Sequence, residues 1–390
     1  MRGIRFKLFL TLIKKTAKPV LSAVLCFLLV SFLAENTGGF FERLTIISAA
    51  AAMPQGSISV AAKYFAAETE SDSTQSVTAE PIEKEESSSQ VESDVTSSQS
   101  SSSSTSSSAP KEKPKDAGSI SEYAFKASKT SSKIVWQGGA AFSNTSKVSN
   151  ADIQKILKQT PEIKLTKGQP QVLIYHTHST ESYELEDLGY YTKGSSARTV
   201  DEKYNMLRVG DEIVRQLEAA GIGVIHDRSL YDYPSYNGAY NRSAATAKKY
   251  LEKYPSITVT LDIHRDAIEQ SGGVRVKPTA VINGKKAAQV MIIAGVDDGT
   301  MDFPKWRENM KFASVLQQQM ENSYPGLTRA AMVCHRRYNM YLTTNSLLIE
   351  MGGHANTLDE AVYSGEMLGK SLVEVLKEYG KIEENKKAPA

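Results

Sequence analysis

The sequence predicts an α/β fold, a mostly parallel sheet covered by helices on both faces. Two observations carry this. From Gln171 onward, strand-like apolar runs alternate with helix-like segments, the pattern of parallel strands joined by crossover helices. Three of the runs also end in residues able to do chemistry: Gln171 to His178, Ile257 to His264, and Ser346 to Glu350. Ligands in such sheets bind beyond the carboxyl ends of the strands, which is where these residues fall.

The elements follow in order. A strand is predicted at 171–176 (QVLIYH). A helix at 201–221 has Met206, Val209, Ile213 and Leu217 on one face and Gly221 as its stop. A strand follows at 222–227, then a helix at 243–254 ended by Pro255, then a strand at 257–264 (ITVTLDIH). AVING and VMIIAGV read as strands forming a hairpin across Asn283-Gly284. A helix at 306–324, a strand at 346–352 (SLLIEMG) and a helix at 357–379 complete the series.

The chain before this divides in three. Residues 1–66 read as a cytoplasmic tail, a transmembrane anchor at about 19–36 and a juxtamembrane segment. No charge interrupts 19–34, and Arg2, Arg5, Lys7, Lys14, Lys15 and Lys18 precede it with no acid. That asymmetry keeps the N-terminus in the cytoplasm and places the remainder outside a cell membrane crossed once. A cleaved signal peptide ending near Ala50-Ala51-Ala52 is the rival reading. Residues 67–118 read as a disordered linker, with ten serines in the twelve residues 97–108 and nothing apolar to bury. Residues 119–168 read as a small lead-in subdomain, and 169–382 as the catalytic domain. The net charge of +2 gives no global electrostatic case for nucleic acid.

The candidate chemistry is metal chemistry. His178 and His264 directly follow apolar runs, and Glu181 stands three residues after His178. Two histidines and a carboxylate, with a fourth position open to water, form the donor set of a catalytic Zn2+ site. Such a site still needs a general base, and Glu350 at the end of the late strand is the candidate. Asp201 is the rival carboxylate ligand. His176 is an alternate ligand or a partner of one, and Asp262 or Asp266 is placed to accept the second ring N–H of His264. Tyr231, Tyr233, Tyr236 and Tyr240 read as a glycan-binding rim or as loop packing. Arg242, Arg265, Arg336 and Arg337 are candidates for peptide carboxylates.

At IYHTHSTESY, DEKYNMLRVGDEI, HDRSLYDYPSYNGAYNRS, LDIHRDAI and LLIEMGG the sequence resembles the stage II sporulation protein P family of endospore-forming bacteria. The resemblance implies a cell-wall hydrolase related in fold to zinc N-acetylmuramoyl-L-alanine amidases and, more distantly, to zinc carboxypeptidases. It implies cleavage of the amide between muramic acid and L-alanine in peptidoglycan, and of peptide cross-links. The setting it implies is forespore engulfment, alongside stage II sporulation proteins D and M. The amidase pattern puts the first ligand on His178 and the acid near Asp201, where this chain departs from glutamate. The carboxypeptidase His-x-x-Glu pattern falls on His178-Ser-Thr-Glu181. Both put the base on Glu350. A wall-binding scaffold without catalysis, and a zinc peptidase acting on proteins, are the competing functions.

Overall fold

Strands that pair in parallel need crossovers, and the helices of this chain supply them. The computed structural model describes residues 113–383. The expected anchor and nearly all of the expected linker lie outside these residues. Among the described residues no helix is long and apolar enough to cross a membrane.

The described chain opens with β1 (Ala117–Tyr123), β2 (Ile134–Gln137), β3 (Ala140–Asn144) and α1 (Asn150–Leu157). Then come β4 (Ile163–Thr166), β5 (Pro170–Tyr175) and β6 (Tyr190–Thr192). The crossover region holds α2 (Leu207–Ala219), β7 (Gly223–His226), α3 (Ala239–Lys253) and β8 (Val259–Asp266). Next are β9 (Glu269–Gln270), β10 (Val274–Ile282), β11 (Lys285–Ala288) and β12 (Val290–Gly295). Last come α4 (Trp306–Ser323), β13 (Ala331–Cys334), β14 (Ser346–Gly353), α5 (Leu358–Tyr379) and β15 (Gly380–Glu383).

The central sheet has eight strands in the order β2-β3-β13-β12-β14-β8-β5-β7. Only β2–β3 and β12–β14 pair antiparallel; the other five neighbours run parallel. Alternate residues of β5 serve opposite faces. Val172 and Ile174 enter the main core with Val209, Ile213 and Leu217 of α2. Leu173 and Tyr175 pack with Ala247 of α3. Each fully buried large apolar side chain contributes roughly 1.5–3 kcal/mol, so this two-sided burial is what fixes the sheet between its helices. A capping box, Thr357 with Glu360, starts α5 immediately after β14.

The structure departs from the expected elements in five places. Helix α2 starts at Leu207 rather than 201. Before it, Asp201 accepts the N–H of Lys203 and Asn205 that of Leu207, each at 3.0 Å, and such local bonds compete with helix. Helix α3 starts earlier than expected, at Ala239, after Gly238 in the left-handed region. The hairpin at Asn283-Gly284 joins β10 to β11, with positive φ at both turn residues. VMIIAG is instead β12, which pairs with β14 in the central sheet. Finally, 119–168 is no separate subdomain. Its β2 and β3 extend the central sheet, and its α1 packs on α4. Strand β1 already begins at Ala117, where the linker was expected, because β6 and β10 offer it partners on both edges.

Candidate metal centre and active site

Strand β5 delivers the first motif. Its last residue is Tyr175, and the following HTHSTE loop is buried throughout. His178 and Glu181 lie on this loop; His264 lies on the neighbouring β8. The side chains of the three are buried, and one ligand atom from each lies within 4.8 Å of the others. His178 Nδ1 is 3.5 Å from Glu181 Oε1, and His264 Nδ1 is 3.8 Å from Glu181 Oε2. Two imidazoles and one carboxylate converging in a buried space match the donor chemistry of zinc.

Electrostatics favour an ionised carboxylate here. Burial pushes Glu181 up, but the hydrogen bond from His178 and the charges of Arg265, His178 and His264 outweigh it. The carboxyl is held well below its ordinary range. The backbone N–H of Arg265 donates to Oε2 at 3.1 Å, and Arg198 lies 3.4 Å from Oε1. Burial pulls the His264 imidazole toward neutrality, yet the Asp262 carboxylate, then Glu181 and Glu350, raise its pKa to about 9. A metal held by this ring at neutral pH would have to displace a proton from it. Asp262 Oδ1 lies 2.8 Å from His264 Nε2, though off the line of a good hydrogen bond. Of the two flanking acids, Asp262 is thus the one beside the ring; Asp266 is engaged by Arg329 at 2.9 Å.

Glu350 is the register partner of His264 across the parallel β14–β8 pair, so both side chains leave the same face of the sheet. The residue keeps partial exposure, while its Oε2 is buried with no hydrogen-bond partner. Burial first, then the charge of Asp266, raises its proton affinity. Strand β14 breaks register just beyond Glu350, and Gly352 has φ +72° there. A Cβ at 352 would stand 2.6 Å from both Asn356 Oδ1 and Ala288 Cβ, so glycine lets the chain turn sharply behind the carboxylate.

A family model for stage II sporulation protein P matches residues 44–373. The chain belongs to the stage II sporulation protein P family. It is 32% identical over 229 residues to the stage II sporulation protein P of Bacillus subtilis (strain 168), which covers 56% of this chain and 54% of that relative. The chain thus spans about half the length of the curated relative it matches. Among solved structures, an N-acetylmuramoyl-L-alanine amidase from Clostridium difficile 630 is 16% identical at a TM-score of 0.32, covering 56% of this chain and 97% of that one. The CwlD amidase from Clostridioides difficile, solved in complex with the GerS lipoprotein, is 18% identical at a TM-score of 0.33, covering 54% and 98%.

In this member of the family the other candidates sit elsewhere. Asp201 is exposed and spends its carboxylate on the Lys203 N–H. His176 is fully buried on the α2 side. Its Nδ1 donates to the Ile263 carbonyl at 3.0 Å and its Nε2 meets His226 Nε2 at 2.9 Å, so it stands outside the His178–Glu181–His264 group. Arg242 and Arg265 are committed to backbone carbonyls, Arg242 to Tyr231 and Asn237, and Arg265 to Ser182 and Ala197. Arg337 likewise donates to Met301 O. Of the tyrosines, Tyr231 is buried against Asp227 and Tyr233 is exposed. Tyr236 stacks on His178 at 4.6 Å between centroids, and Tyr240 meets both His178 and His264. A second acidic cluster, Asp297, Asp298 and His335, is more exposed. Asp297 there accepts N–H groups from Gly299, Thr300, Met301 and Phe303 and so shapes its own turn.

Sequence reasoning missed Asp232 and Arg198. Buried Asp232 accepts from Thr180 Oγ1 and from Arg198, each at 2.6 Å, and ties the tyrosine loop to the HTHSTE loop. An aspartate amid loop tyrosines carries no local signal of that role.

Proposed function

We propose that this chain is a zinc-dependent peptidoglycan hydrolase that cleaves the muramoyl-L-alanine amide, and peptide cross-links, during forespore engulfment. The observation that carries this reading is the buried His178–Glu181–His264 group beside Glu350. Membership of a family of stage II sporulation proteins supports the sporulation setting, and with it a wall substrate. In the same reading, residues 19–36 anchor the chain in the cell membrane with the catalytic part outside the cytoplasm. Stage II sporulation proteins D and M are its partners.

His178, Glu181 and His264 would hold the ion. When bound, zinc lowers the pKa of a water molecule and polarises the scissile carbonyl. Glu350 accepts a proton from the attacking water as the carbon–oxygen bond forms. It then returns that proton to the amide nitrogen as the carbon–nitrogen bond breaks. A raised proton affinity suits a group that must take a proton from water. Tyr236 and Tyr240 flank the ligand rings and limit access of bulk water. The test is Glu350→Gln. The variant is expected to keep its zinc and to lose sacculus hydrolysis by about 10²–10⁴-fold. Normal digestion by the Gln variant contradicts the assignment of the base.

A further inference from the structure

The metal group is reached from an unexpected direction, the loop between β13 and β14. Its Asn339 is buried and donates through Nδ2 to Ser243 Oγ of α3 at 2.8 Å. Ser243 Oγ lies 2.7 Å from Thr177 Oγ1, which lies 2.7 Å from Asp262 Oδ2. Asp262 Oδ1 in turn lies beside His264 Nε2 at 2.8 Å. Asn339, Ser243, Thr177, Asp262 and His264 are each at most 4 % exposed.

The hydrogens of this chain have one consistent direction. A carboxylate only accepts, so the Thr177 hydroxyl and backbone N–H both point at Asp262. The single hydroxyl proton of Thr177 is then committed, so the 2.7 Å Ser243–Thr177 contact takes the proton of Ser243 in preference to the longer 3.2 Å contact with the Tyr240 carbonyl. Ser243 is left with lone pairs for the Asn339 amide. Asp262 is therefore fixed as an acceptor facing His264 Nε2. The Asp262 charge 2.8 Å from Nε2, though off the line of a good hydrogen bond, favours the proton on that nitrogen and leaves the Nδ1 lone pair on the Glu181 side.

A second tether starts one residue earlier. Tyr338 has φ +40°, a conformation that bulky residues rarely adopt. Its ring stacks on Tyr240 at 5.2 Å between centroids, and the Tyr240 ring lies parallel to that of His264 within 9°. Backbone strain of this kind persists where the surroundings over-determine it, often at functional sites.

We infer that Asn339 and Ser243 are positioning residues for His264, acting through Thr177 and Asp262, with Tyr338 bracing the same loop against Tyr240. The inference rests on the metal reading proposed above. It makes zinc affinity depend on a loop that supplies no ligand.

The test uses the full chain and measures zinc affinity by competition with a chromophoric chelator. Ser243→Ala and Asn339→Ala are each expected to weaken zinc binding by about 10-fold. Thermal unfolding of the metal-free proteins checks that each variant is folded; Asn339→Ala changes no residue of α3, although it removes hydrogen bonds to Ser243 and to the Tyr240 carbonyl there. In an Asp262→Asn background, Ser243→Ala is expected to add no further loss, because the relay is already cut. Wild-type affinity in both single variants overturns the inference and leaves the metal reading standing. So do losses that multiply in the Asp262→Asn background. A wild-type chain that binds no zinc overturns both.

Discussion

His354 stands four residues after Glu350, buried, with no hydrogen-bond partner at either ring nitrogen. Arg265 and Arg275 act on it, and Glu269 Oε1 lies 3.4 Å from Nε2. Burial first, then the two guanidinium charges, pull its pKa down to about 3. Its ordinary value is about 6.5. Between those values the unfolded chain binds a proton that the folded chain refuses. Stability is therefore full above about 6.5 and is lost as pH falls toward 3. The loss is on the order of 2–3 kcal/mol by pH ~4.5, at about 1.4 kcal/mol per unit. An apolar replacement forfeits no hydrogen bond, so His354→Leu is expected to flatten the acid limb of stability. Urea midpoints of both proteins between pH 7 and 4.5 check this, and identical acid slopes contradict it. At the same scale, the grouping of His178, His264 and Glu350 was legible because each lies at or just beyond the end of an apolar run. The choice between Glu181 and Asp201 was not, since it depends on the path of a loop. Asn339 and Ser243 had no signal at all, because a relay between distant residues exists only after folding.

At the scale of elements, α2 shows how closely the sheet is held. Gly210 faces the His176–His226 pair, and a Cβ there would stand 2.6 Å from one Nε2 and 2.5 Å from the other. Alanine ordinarily gains about 1 kcal/mol over glycine inside a helix. Here overpacking against two imidazoles is expected to win, with a net loss of about 1–3 kcal/mol for Gly210→Ala. Urea unfolding decides; a gain in stability would mean that α2 tolerates displacement from the β5 end. The same contact explains His176. It occupies the α2 side of the sheet while His178 lies on a loop beyond the strand, so their two-residue spacing does not place both in one site. Alternating strands and helices were readable because amphipathic periodicity is local. The smaller sheet of β1, β6, β9, β10 and β11 was not. Its parallel β1–β10 pair joins Ile120 to Arg275, and no local pattern encodes so distant a pairing.

For the whole molecule, the eight-stranded sheet brings His178, Glu181, His264 and Glu350 together from three separated stretches. Metal binding to the native state alone adds stability. Saturating zinc, at about 100 times its dissociation constant, is expected to stabilise the fold by about 2.7 kcal/mol, and a chelator to reverse it. Calorimetry with and without chelator checks this; an unchanged transition contradicts a native-state zinc site. The most direct measurement is mass spectrometry of the products released from purified sacculi by the full chain, with and without chelator. The expected result is stem peptides with a free L-alanine amino terminus, absent with chelator and restored by added zinc. Release that ignores the chelator, or no release in the zinc-loaded protein, contradicts a zinc-dependent amidase.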